Sequence, residues 1–154
     1  VQGRLAGDDV QRVVAGATET AADFRNRLQH MKLGLEAVEA PNAALRAEVQ
    51  DLEARLDDID VVLTGDQTIE SRNEPAPWGV RSRVSQIRSW GWQTQAPPTG
   101  SARDGLAVAK IELDQALAAM REVEPDLEAL EDVLAARGAP FTPGRGVPAW
   151  TLAD

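Results

Sequence analysis

No feature of this chain restricts its fold as tightly as an apolar residue recurring at alternating spacings of four and three. Val10, Val14, Ala17, Ala21, Phe24, Leu28, Met31, Leu35 and Val38 hold that rhythm without a miss. Such spacing makes one stripe of a helix apolar and leaves its other faces polar, so the stripe must be buried against a neighbour. Asp8 and Asp9 suit a cap and first turn, where their charge meets the positive end of the helix dipole. Pro41 ends the helix, because the residue before a proline is pushed out of the helical region. A second seam, Leu45, Val49, Leu52, Leu56, Ile59 and Leu63, begins after Asn42 as cap and halts at Gly65.

A third, shorter run carries Val80, Val84 and Ile87 between Pro77, which suits a first helical position, and Gly91. Thr99 or Ser101 then caps a last helix, whose seam is Ala109, Leu113, Ala116, Met120, Val123, Leu127, Leu130 and Leu134, closed by Gly138. Pro125 stands two positions from both Val123 and Leu127, off the seam, so it bends this helix rather than ending it. The same seams would suit a coiled coil that dimerises, but short links between neighbouring helices favour packing within one chain. The third run has Arg81, Arg83 and Arg88 and no acid, which selects acidic neighbours, although each exposed pair adds little.

The expectation is an all-α fold: an up-and-down antiparallel helical bundle of three long helices and one short, a single domain over residues 1–154. The helices are expected at about 8–39, 42–64, 77–91 and 100–137, with a Pro/Gly-rich tail, 138–154, packed on one end. An alternating path sends the last helix down against the first. It gathers the N-terminus, the stretch 64–76 and the tail at one pole, with Phe141 and Trp150 partly buried against that stretch.

Composition narrows the function. With 154 residues the chain can enclose one core, and 43% hydrophobic residues argue against a disordered tail. A net charge of −9 argues against nucleic acid or an anionic membrane as partner. No run approaches the roughly 18 apolar residues of a membrane span. Without Cys and with His30 as the single histidine, the chain lacks material for thiolate or histidine metal centres and for a Ser–His pair. No cofactor is expected. Asp57, Asp58, Asp60, Asp66, Glu70 and Glu74 form an acidic run. Its first three members sit on a helix, and it lacks the alternating pattern of a Ca²⁺ loop, so it reads as a solvated face. Two carboxylates and a cleft are enough for a glycosidase. Acids are so common here that their presence points to no particular pair.

Smooth helical sequence gives way to "LTGDQTIESRNEPAPW" at 63–78. A loop of that length inside a compact domain needs something to order it. Arg72, Asn73 and Glu74 are the candidates: a guanidinium, an amide and a carboxylate could form a knot that satisfies the free groups at the flanking helix ends. Trp78, Trp90 and Trp92 lie close in sequence. In a core poor in aromatics they fit as filling beside the short helix, while exposed tryptophans could instead stack on sugar rings.

"LTGD" at 63–66, "RNEPAP" at 72–77, "RV" at 83–84, "APPTG" at 96–100, "GAPFTPGR" at 138–145 and "VPAW" at 147–150 follow one another in a telling order. That series resembles the C-terminal segment of large bacterial secreted proteins whose N-terminal part is a BNR or sortilin-type β-propeller, often described as glycosyl hydrolases. Trp78-Gly79 and Gly146 depart from the family pattern. The resemblance implies a secreted or periplasmic setting and an upstream propeller as partner within a longer chain, and a start at Val1 rather than Met suits such a piece. It also implies that hydrolysis would belong to the propeller, so no catalytic residue is carried over. The expected function is a non-catalytic accessory or structural domain that docks on or spaces the propeller. Arg72, Asn73, Glu74, Trp78, Trp90, Trp92, Phe141 and Trp150 are its structural and interaction residues. A carbohydrate- or protein-binding module using Trp90, Trp92 and Trp150 is the alternative, and part of a glycoside hydrolase is the third reading.

Overall fold

The structure, a computed structural model, describes residues 2–38, 43–93, 100–150 and 152, with the side chains at 2–6 and 90–93 outside that description. Among the described residues there are five helices and no strand. They are α1 (Gln2–Ala37), α2 (Ala43–Thr64), α3 (Gln67–Glu70), α4 (Val80–Gln93) and α5 (Gly100–Ala136). The expected all-α bundle is the observed one. The seams carry it: every residue named on them is buried, from Val10 to Leu35 on α1 and Val38 just past its end, Leu45 to Leu63 on α2 and Ala109 to Leu134 on α5. Val80 and Val84 are buried on α4 as well, while Ile87 is half-buried. Burying each such side chain stabilises the fold by roughly 1.5–3 kcal/mol before entropy is counted. Pro125 lies inside a continuous α5 and is exposed, as its place off the seam requires.

Some boundaries move. α1 begins at Gln2, so Asp8 and Asp9 stand inside it, where Asp8 meets Arg88 of α4 and Asp9 pairs with Arg12 one turn on. The third expected helix starts at Val80 rather than Pro77, because Gly79 is held against the end of α2 and its carbonyl accepts the first helical hydrogen bond, from Arg83, at 3.1 Å. α3 is an added element. Asn42 and Thr99, proposed as caps, lie outside the described residues, and Ser101 lies within α5.

The chain divides into two compact units, through which α1, α2 and α5 all pass. The first comprises Val1–Ala21 and Asp57–Arg121. In it α4 runs against α5: Arg83 Nε stands 3.6 Å from Glu112 Oε2, and further along α4 the side chain of Ile87 packs at Gly105, nearer the start of α5. Arg88 reaches Asp8 at 4.0 Å and donates to Gln11, so the basic helix does find its acidic neighbours.

The second unit comprises Ala22–Leu56 and Glu122–Asp154. Lys32 Nζ lies 2.8 Å from Glu53, and Arg55 lies 2.7 Å from Asp126. Arg27 meets Glu131, and further on Gly34 meets Ala139, just past the end of α5. Within this unit, position therefore rises together along α1 and α5, and the two helices run parallel here. The alternating path is corrected on this point. The first halves of α1 and α5 share one unit and their second halves the other, whereas α2 contributes its end to the first and its beginning to the second. The tail accordingly packs in the second unit, and the stretch 64–76 belongs to the first.

Candidate functional site

In the first unit the interrupting stretch is ordered from within. Gly65, at φ 92°, closes α2 in the left-handed conformation that an L side chain resists, and its N–H donates to the Val61 carbonyl at 3.0 Å. Asp66 then caps α3, its carboxylate accepting from the N–H groups of Thr68 at 2.9 Å and Ile69 at 3.2 Å. Asn73, at φ 54°, turns the chain out of α3. Its N–H donates to the Glu70 carbonyl at 3.0 Å and that of Glu74 to Ile69 at 3.4 Å, a paired closure of the Schellman type. The side-chain knot expected of Arg72, Asn73 and Glu74 is replaced by this backbone closure. All three residues are exposed, and Asn73 serves through its tolerance of a left-handed φ. Trp78 is 49% exposed, with its carbonyl accepting from Arg83.

An open, shallow cleft of about 500 Å³ lies between α3 and α4, with Gln67 and Glu70 on one side and Arg81, Ser82 and Ser85 on the other. Its hydroxyl, amide and charged groups face water, where dielectric screening keeps their electrostatic interactions weak. Among the described residues no three acidic or histidine side chains converge as a metal site.

In the second unit the polar centre is Glu131. Its side chain is fully buried, and Arg27 on α1 grips it through two hydrogen bonds, Nε to Oε1 at 2.9 Å and Nη2 to Oε2 at 2.8 Å. Arg145, from the tail, places Nε 3.2 Å from the same Oε2 and also pairs with Asp132. One buried carboxylate thus answers two guanidiniums, the arrangement that makes a buried charge tolerable. The hydrogen bond to Glu131 raises the Arg27 pKa, burial opposes that, and the charges of Glu131, Glu128 and Glu124 add to the rise.

The tail reaches Glu131 by defined turns. Gly138, at φ 86°, ends α5, with its N–H donating to Ala135 and that of Ala139 to Leu134. Thr142 is buried, and "TPGR" has the pattern of a type II turn, with Pro143 second and Gly144, at φ 92°, third. The Arg145 N–H donates back to the Thr142 carbonyl at 3.4 Å, and its guanidinium lies 5.4 Å from the Phe141 ring centroid.

Beyond that anchor the tail turns outward. Phe141 is 39% exposed, but Val147, Trp150 and Leu152 are 94%, 78% and 77% exposed. The burial expected for Trp150 is therefore corrected: Arg145 is the residue held, and the segment after it stands in solvent. Trp90 and Trp92 lie on α4, with side chains outside the described residues. The sequence reading missed Glu131 and Arg27. Both sit one position from a seam residue, Leu130 and Leu28, on the flank of the stripe where a long charged side chain can turn inward. No protein-family model, no curated protein and no solved structure matches the chain.

Proposed function

We propose that this chain is a non-catalytic helical accessory domain that docks on, or spaces, a preceding β-propeller of a longer protein. The reading is carried by one observation. Three large apolar residues, Val147, Trp150 and Leu152, stand in solvent on a short segment directly after an ordered anchor. Single exposed apolar residues are ordinary, but three within six positions form a cluster that association would bury. Pro148 and the Arg145 anchor restrict the segment before it binds, which lowers the entropy lost on docking. The buried carboxylate supports the same reading, since Glu131 is committed to two guanidiniums inside the fold. The propeller as the docked domain follows from the sequence resemblance.

Titration of the isolated chain with the separately produced upstream domain, followed by calorimetry, tests this. Trp150→Ala should weaken binding by about thirtyfold, the effect of removing an interfacial tryptophan that contributes roughly 2 kcal/mol. Unchanged affinity would overturn the docking role of the tail. The isolated chain should also hydrolyse no glycan. The exposure of Trp150 gives a second reading some weight, that the indole stacks on a sugar ring. Quenching of its fluorescence by oligosaccharides, lost in Trp150→Ala, would favour that reading.

A further inference from the structure

The end of α2 and the residue before α4 meet in space. The excursion from Gly65 to Trp78 returns to its point of departure. A Cβ on Gly79 would lie 2.5 Å from the Thr64 carbonyl carbon and 3.0 Å from the Leu63 carbonyl oxygen, so the departing and returning backbones touch. From that contact α4 runs toward Asp8 and Gln11 near the start of α1. The lengths agree: α2 has 22 residues and α4 has 14, against 36 in α1 and 37 in α5.

The seam agrees too. Leu63 and Val80 are 17 positions apart, which is two heptads and a three-residue step. Without residues 65–78 the apolar rhythm Leu56, Ile59, Leu63, Val80, Val84, Ile87 continues with no phase error. Insertions that are not whole heptads rotate the stripe away from the core, and this one does not. Nor does the excursion help build the core. From Asp66 to Trp78 no residue is buried, and the segment holds its shape with its own Asp66 cap and Asn73 closure.

We infer that residues 65–78 are an interaction loop set into a single helix: unnecessary for folding, and the second surface that this domain presents to the rest of its longer chain. What the loop contacts rests on the docking reading above; its dispensability for folding does not. A compact loop whose ends meet, with its charged and aromatic groups in solvent, is the form that surface recognition loops take. Its exposed Arg72 and Glu74 and its half-exposed Trp78 fit a protein surface of mixed charge with an apolar recess.

The test is deletion of residues 65–78 from the 154-residue chain, beside a deletion of 67–78 that sets Val80 out of phase. The in-phase variant should fold, with a higher fractional helicity by circular dichroism and a Tm well above that of the shifted one. Gly79→Ala supplies a change of sign. In the intact chain the added Cβ meets backbone and should lower Tm by on the order of 10 °C, a loss of a few kcal/mol in a chain this long. In the deletion variant Gly79 becomes an ordinary helix residue, and the same substitution should raise Tm by about 3 °C. Failure of the in-phase variant to fold, equal Tm for the two deletions, or loss of stability on Gly79→Ala in both backgrounds would overturn the inference. In the longer protein the in-phase deletion should increase the rate of limited proteolysis near Val1. An unchanged rate while Trp150→Ala still weakens docking would remove the loop's recognition role alone. An unchanged rate with both variants would remove the docking reading itself.

Discussion

Replacing Arg27 with Leu tests what the buried carboxylate contributes. Glu131 is fully enclosed, and Arg27 provides two charge-assisted hydrogen bonds of 2.9 and 2.8 Å to its two oxygens. Removing one partner of such a pair leaves a buried charge without its compensation and costs about 3–5 kcal/mol. Arg145 stays within 3.2 Å of one oxygen, but it is more exposed than Arg27 and reaches that oxygen through a single nitrogen. The expected loss is therefore about 3 kcal/mol, at the lower end of that range. With a urea slope near 2 kcal/mol per M for a chain of this size, the unfolding midpoint should fall by roughly 1.5 M. The slope itself should hold, since the same surface is exposed on unfolding. Arg27→Leu combined with Glu131→Leu should recover most of the loss, because a buried pair replaced by apolar groups of similar volume is close to neutral. The raised Arg27 pKa sets the pH sign. A base with a raised folded pKa contributes stability that is complete below its ordinary pKa and lost only as pH climbs through the folded value. The Arg27 share should thus stay constant from pH 5 to 9. A loss under about 1 kcal/mol, or a double variant no more stable than the single one, would refute the account.

Leu52→Ala and Leu127→Ala should each lower stability by roughly 2–5 kcal/mol in denaturant titrations, since both positions are buried and cannot collapse fully around a lost side chain. Arg145→Ala should leave Tm within a few degrees of the parent but release the tail, seen as rapid protease cleavage between Gly138 and Trp150. Asp66→Ala should cost about 1 kcal/mol locally, the usual cost of losing a cap, with faster amide exchange at Thr68 and Ile69 and little change in the core helices.

How much of this was legible in the sequence depends on the range over which each feature is encoded. The seams were legible because helical periodicity is written within a single segment, and nearly every position they name is buried. The "TPGR" turn has a local signature of the same kind. Direction was not legible. Four helices in order suggest an alternating path, but α5 lies parallel to α1 in the second unit. The information was present as phase: the 17 positions between Leu63 and Val80 keep the heptad register that an independent helix would have no reason to keep. The candidate polar site was misread for a related reason. Arg72, Asn73 and Glu74 were conspicuous because they interrupt a pattern, and they are exposed. Glu131 and Arg27 were inconspicuous because each lies within a pattern, on helices separated by about a hundred residues, and no local rule pairs them. A long-range pair of charges at the edges of two apolar stripes is found by asking where a charge would be costly if unpaired. Beside Leu130 and Leu134, with the tail folded over it, a carboxylate has no access to water. Arg145 then has a reason to sit at the fourth position of that turn. The turn delivers it to a charge already in place, and past that anchor Trp150 stands in solvent.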